Sequence, residues 1–207
     1  MAKNMLGLMK LKYQKDYFSN PLTISNMKKY QIILADPPWN YADQGCQGTM
    51  ANHYKGMTSI ELQNLGTQIK EISDDNCILF MWATYPMLEN ALWLIGEWGF
   101  EYKSIGFQWV KLNPKSKTPF YGLGRWTRGN TEPCLLATRG KPKRKSASVF
   151  QLIQEPRGRH SEKPAIVRNK IIQLMGNLPR IELFARQKVE GWDVWGNEVE
   201  SDIILTP

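Results

Sequence analysis

The stretch Ile32-Ile33-Leu34-Ala35-Asp36-Pro37-Pro38-Trp39 constrains the fold more than any other in the chain. Four consecutive apolar residues predict a short strand of the kind buried in a parallel sheet. Two prolines then forbid its continuation, because neither can donate to a ladder. Pro37 also biases Asp36 toward extended backbone geometry. The Asp36 carboxylate, the carbonyls of the Pro-Pro segment and the face of Trp39 are expected to project together from the carboxyl end of a strand. Open α/β sheets bind ligands at that edge.

An acceptor pair beside an aromatic plane suits one demanding chemistry. The exocyclic amine of a nucleobase is a poor nucleophile, because its lone pair is delocalised into the ring. Two acceptors, the Asp36 side chain and the Pro37 carbonyl, would favour a pyramidal nitrogen with a localised lone pair. A base stacked on Trp39 would then be held for in-line attack on a methyl donor. The competing reading is a surface Asp-Pro turn beside a Trp that merely packs.

With 207 residues the chain is long enough for one sizeable core and short for two ordinary domains, so a single domain over residues 29–207, preceded by a basic arm over residues 1–28, is expected. Hydrophobic residues make up 42% and charged residues 22%, which places the chain among globular proteins. The net charge of +8 favours a polyanionic partner, DNA or RNA, over the alternative of an ordinary basic surface. Cys46, Cys77 and Cys134 are scattered and odd in number, and His53 lies far from His160. This spacing supports neither a disulfide framework nor a metal site. No apolar run is long enough for a signal peptide or a membrane span, so a reducing cytosolic or nuclear setting is expected.

Residues 40–55 carry Gly, Gln, Asn and Asp without periodicity and read as a loop beside the candidate site. Thr58-Ser59-Ile60-Glu61 is a capping box that opens a short helix through Ile69. Asn76 to Trp82 predicts a second strand. Thr84 to Trp98 predicts a helix with Pro86 near its start and Gly99 past its end. Phe100 to Lys111 alternates into a third strand, Cys134 to Thr138 gives another, and Val149 to Ile153 a short one. Pro164 opens a helix that Gly176 ends, Arg180 to Ala185 is the last predicted strand, and Gly191 to Glu198 reads as a packed return segment. Strands separated by helices predict an α/β fold with a mostly parallel sheet covered by helices on both faces.

Basic residues interleaved with aromatics suit a nucleic-acid groove, cations meeting phosphates and rings stacking on bases. The loop over residues 113–130 has this character, with Arg125 and Arg128 among Phe120, Tyr121 and Trp126. The run Arg139-Gly140-Lys141-Pro142-Lys143-Arg144-Lys145 is either a phosphate-contacting loop or a solubilising turn. Arg157 and Arg159 are further candidates for backbone contact. Glu182, the one acidic residue within its strand, must be paired or must hold a ligand hydroxyl.

Five blocks stand in an order that resembles the MT-A70-like adenine-N6 methyltransferases: Asp36-Pro37-Pro38-Trp39, Arg128-Gly129-Asn130-Thr131-Glu132, Arg159-His160-Ser161-Glu162-Lys163-Pro164, Ile181-Glu182-Leu183-Phe184-Ala185-Arg186 and Trp195-Gly196-Asn197-Glu198. The resemblance runs from about Tyr30 to Glu198. It implies a Rossmann-like fold that uses S-adenosyl-L-methionine, with the catalytic motif preceding the main cofactor motif. It also implies catalytic roles for Asp36, Pro37, Pro38 and Trp39, and a cofactor site of Asp36, Pro37, Lys163, Glu182, Leu183, Phe184, Arg186, Asn197 and Glu198. Trp39, Asn40, Tyr54 and Glu132 would line the target pocket. One departure stands out: Phe184-Ala185-Arg186 occupies the place where other cofactor-binding Rossmann domains carry a glycine-rich turn.

The expected function is methyl transfer from S-adenosyl-L-methionine to the N6 amine of adenine in DNA, in the cytoplasm of a bacterium or from a phage, by a monomer or a homodimer. RNA is the second candidate substrate. DNA is favoured because the chain is compact and shows no RNA-binding module. A catalytically silent nucleic-acid-binding partner subunit is the rival of another class, and the intact Asp36-Pro37-Pro38-Trp39 argues against it.

Overall fold

A computed structural model describes residues 28–40, 56–124, 126–159 and 161–207. The N-terminal arm and most of the first loop therefore lie outside the described residues, as do Tyr54, Arg125 and His160. The strands are β1 (Tyr30–Ala35), β2 (Ser73–Trp82), β3 (Glu101–Leu112), β4 (Thr131–Arg139), β5 (Leu152–Pro156), β6 (Arg180–Leu183) and β7 (Asp193–Trp195). They form one sheet in the order β5-β3-β4-β2-β1-β6-β7. β1 pairs in parallel with β2 and β6, β7 with β6, and β5 with β3. Among the described strands only β4 runs against the rest, antiparallel to both β2 and β3. The sheet is mostly parallel, as expected of a Rossmann-like methyltransferase.

Helices α1 (Ser59–Asn64), α2 (Gly66–Ile72), α3 (Leu88–Glu97) and α4 (Ile166–Met175) cover it. Period-two alternation divides the sheet between two cores. Ile33, Ala35, Leu79 and Met81 face Leu62, Ile69, Leu94 and Trp98 from the first three helices. Ile32, Leu34, Ile78 and Phe80 face Val167, Ile171 and Met175 of α4. β1 is buried on both sides, as its unbroken apolar run requires.

Local signals hold at most boundaries. The Thr58 side chain accepts from the Glu61 N–H while Glu61 returns a bond to the Thr58 N–H, which closes the capping box. Gly99 and Gly176 end their helices at φ 80° and 90°, where a Cβ would be strained. The region expected to be one helix from Thr84 instead opens with a 3-10 turn over Tyr85–Met87 before α3. The expected return segment over 191–198 contains β7, a three-residue edge strand too short to show periodicity. Among the described residues no helix is long and apolar enough to cross a membrane.

Candidate active site

β1 lies inside the sheet between β2 and β6, so its carboxyl end opens onto a crevice at the point where the strand order departs in two directions. Asp36 and Pro37 line a cleft of about 1060 Å³ along that edge. Small-ligand pockets occupy roughly 300–1,000 Å³. This cleft is at the upper end of that range.

The motif is held rigidly. The Trp39 N–H donates to the Pro37 carbonyl at 2.8 Å, and the Met57 N–H donates to the Pro38 carbonyl at 2.9 Å. The Trp39 indole N–H donates to the Trp82 carbonyl at 3.3 Å. Trp39 is consequently only 5% exposed. Trp39 thus lines the cleft beside Asp36 and Pro37 as a fixed wall. Asn40 is exposed and does not line it.

Lys163 Nζ bonds Asp36 Oδ2 at 2.8 Å and lies 3.8 Å from Glu132 Oε2. Glu132 is in turn paired with Lys111. Charges thus alternate along Asp36, Lys163, Glu132 and Lys111, all partly screened from water. Burial lifts the Asp36 carboxyl above its ordinary range; Lys163 opposes the rise and the Glu132 charge adds to it. Glu132 reaches this cluster because β4 is antiparallel, which puts the start of β4 at the same edge as the ends of β1 and β2. Lys111 was not among the sequence candidates. A lone cation closing the alternating run Phe107, Trp109, Lys111 was the signal.

On the other flank, the chain leaving β6 turns sharply. Phe184 adopts φ 62°, the left-handed region that normally selects glycine and costs a bulky residue on the order of 1–3 kcal/mol. This is how a chain without the expected glycine-rich turn makes the same bend. Ring contacts hold it: Phe184 stacks on Trp98 at 6.4 Å and meets Trp195 edge-on at 5.2 Å. Gly196 follows, where a Cβ would run into the Ala185 carbonyl. Arg186 and Glu198 pair at 3.6 Å, and both line the cleft with Asn197.

Two expected cofactor residues are not brought to the cleft. Leu183 is fully buried in the core. Glu182 alternates to the opposite face, where Arg168 of α4 holds it bidentately at 2.6 and 2.8 Å. Its acidity is answered by a partner in the fold, the first of the two possibilities for a Glu in a buried strand. Arg157 and Arg159 line the rim of the cleft and Arg128 is exposed on the nearby loop. The run Arg139 to Lys145 lies elsewhere. Arg139 pairs with Cys77, at the end of the β2–β4 ladder away from Trp82 and Cys134, so the run leaves the sheet on the side opposite the cleft. Its loop is tied to that edge by the Lys141 N–H donating to Asn76 Oδ1 and the Lys145 N–H donating to the Leu174 carbonyl.

The MT-A70 family model matches residues 30–198. The chain belongs to the MT-A70 family. It is a methyltransferase, and the members it resembles carry the same chemistry in their names. A Type II methyltransferase, M.MunI from Mycoplasma sp, is 39% identical over 200 residues, covering 87% of this chain and 82% of that protein. The human N(6)-adenosine-methyltransferase catalytic subunit METTL3 is 27% identical over 191 residues, covering 90% of this chain and 31% of its own length. An Arabidopsis thaliana N(6)-adenosine-methyltransferase MT-A70-like protein is 27% identical over 175 residues, covering 82% of this chain and 24% of its own length.

Proposed function

We propose that this MT-A70 methyltransferase moves a methyl group from S-adenosyl-L-methionine to the N6 amine of adenine in DNA. The observation that carries the reading is the 2.8 Å pairing of Lys163 with Asp36 on the wall of a cleft of about 1060 Å³. The donor set suits the cofactor. The Phe184 and Trp195 rings offer apolar surface for its adenine, Asn197 and Glu198 offer partners for its sugar hydroxyls, and Lys163 is a cation within reach of its carboxylate. When bound there, the cofactor supplies an electrophilic methyl on a sulfonium.

The chain's own groups then prepare the nucleophile. Lys163 occupies Oδ2 of Asp36, which orients the carboxylate and leaves its second oxygen to accept one N6–H. The Pro37 carbonyl already accepts the Trp39 amide, and its second lone pair is suited to the other N6–H. Two such bonds draw the amine out of conjugation. Transfer would exchange the S–CH3 bond for an N–CH3 bond and leave a neutral thioether; the nitrogen would shed one proton, and Asp36, made more basic by burial, is the acceptor in reach. Glu132 and Trp39 line the same cleft and would border the base.

DNA is favoured because a Type II methyltransferase is matched over 82% of its own length, whereas the N(6)-adenosine-methyltransferases are matched over less than a third of theirs, and we read the Type II name as pointing to DNA. Incubation with labelled cofactor and matched duplex DNA, single-stranded DNA and RNA, followed by nucleoside mass spectrometry, tests the reading. N6-methyldeoxyadenosine is expected, with a loss of about 10²-fold or more in Asp36→Ala. Methylation of RNA alone, or full activity of Asp36→Ala, would overturn it.

A further inference from the structure

The loop joining β3 to β4 is carried on a hydrogen-bonded stem. In the stem, the Gly122 N–H donates to the Gly129 carbonyl at 2.7 Å and the Phe120 N–H to the Lys111 carbonyl at 2.8 Å. The Asn130 amide bonds the Phe120 carbonyl, and Asn113 Nδ2 donates to the Thr118 and Pro119 carbonyls. At the tip Gly124 packs so closely on the Thr127 carbonyl that no Cβ would fit. Beside Gly124 two large apolar side chains stand out in water: Leu123 is 94% exposed and Trp126 is 98% exposed. Leu123 also lines the mouth of the cleft.

A large exposed Trp beside an apolar neighbour marks a contact surface. The surroundings say what kind. Arg157 lies 3.3 Å over the Phe120 ring at the root of the stem, Arg128 is exposed on the tip, and Arg159 continues the rim. Two copies of a chain with net charge +8 would repel each other across such a rim, whereas a polyanion is drawn to it. An adenine in a duplex can reach Asp36 only by leaving the stack, which opens a gap beside the cleft. Apolar side chains commonly fill such gaps.

We propose that Leu123 and Trp126 form a wedge that enters the base stack where the target adenine leaves it, Trp126 stacking on an adjacent base. This inference rests on the DNA reading above. Leu123 and Trp126 are positioning residues, separate from the groups that touch the reacting nitrogen. They act on the extrusion step and are dispensable when no stack has to be opened.

The test compares wild type, Trp126→Ala, Leu123→Ala and Trp126→Phe on oligonucleotides carrying the site that wild-type enzyme methylates in plasmid DNA. Each is presented as a full duplex, as a duplex with an abasic position opposite the adenine, and as a single strand. Base–aromatic stacking of ordinary strength predicts a fall of about tenfold or more in kcat/KM on the full duplex for Trp126→Ala. A change of less than about threefold is expected on the other two, with recovery in Trp126→Phe. With 2-aminopurine as the target base, the fluorescence rise on binding should be lost in Trp126→Ala. Equal losses on all three substrates, or a wild-type dimer that Trp126→Ala turns into a monomer in sedimentation, would overturn the wedge alone. Wild-type inactivity on every DNA form would overturn the DNA reading and the wedge with it.

Discussion

Lys163 Nζ sits 2.8 Å from Asp36 Oδ2 although 127 positions separate the two residues. Asp36 ends β1, and Lys163 lies on the segment entering α4. The pairing forms because α4 packs on the face of β1 that carries Ile32 and Leu34, bringing its leading turn to the tip of that strand. The distance therefore ties the chemistry to the packing of the second core.

The acid limb of the pH–rate profile should report Asp36, which must be ionised to accept an N6 proton. Its folded value is raised above the ordinary 3.8 by burial first. Ionisation therefore destabilises the fold: the contribution of the protonated form is complete below 3.8 and is lost as pH climbs through the folded value. Glu132→Gln removes a charge that adds to the rise, so the limb should move to lower pH. Lys163→Gln removes the opposing cation and should move it higher. If neither variant shifts the limb, Asp36 is not the titrating group.

Arg168→Met should lower stability by about 2–4 kcal/mol in urea unfolding, because it strands Glu182 as an uncompensated, largely buried charge. The double variant Arg168→Met/Glu182→Leu should recover most of that loss. Cofactor affinity, measured by calorimetry, should change little in the double variant, since Glu182 lies off the cleft. A large loss of affinity would return Glu182 to the cofactor site.

Arg157→Gln and Arg159→Gln together should flatten the salt dependence of DNA binding, each phosphate contact contributing a slope of about 0.9 in log K against log salt. Neutralising Lys141, Lys143, Arg144 and Lys145 should leave KM for a short duplex unchanged, since their loop is at the other edge of the sheet. An equal flattening by both sets would mean that DNA wraps from one edge to the other.

Burial pushes the Cys77 thiol up to about 12 and the Cys134 thiol well above its ordinary range. In a Cys46→Ser background, a thiol reagent at neutral pH should leave both unmodified in the native protein and label both after denaturation. Rapid labelling of either in the folded state would show that the sheet opens at β2 or β4.

Much of this protein could be read without coordinates. The apolar run from Ile32 to Ala35, stopped by Pro37 and Pro38, marked a buried strand ending in a functional turn. Gly99 and Gly176 marked the helix ends, and Thr58 with Glu61 marked a helix start. Such features are decided by steric and hydrogen-bonding rules acting over a few residues, so they are written where they act. The amino-acid order alone therefore determined the alternation of elements, the position of the Asp36 turn and the family resemblance. Tertiary structure alone decided that β4 reverses and delivers Glu132 to the cleft while carrying Arg139 to Lys145 away from it. It also decided that Glu182 faces Arg168, that Phe184 takes a glycine-like backbone against Trp98 and Trp195, and that Trp39 is a wall. Each depends on which strand pairs with which, and in what direction. That choice is made by burial summed over the whole sheet, and no local stretch of sequence contains it.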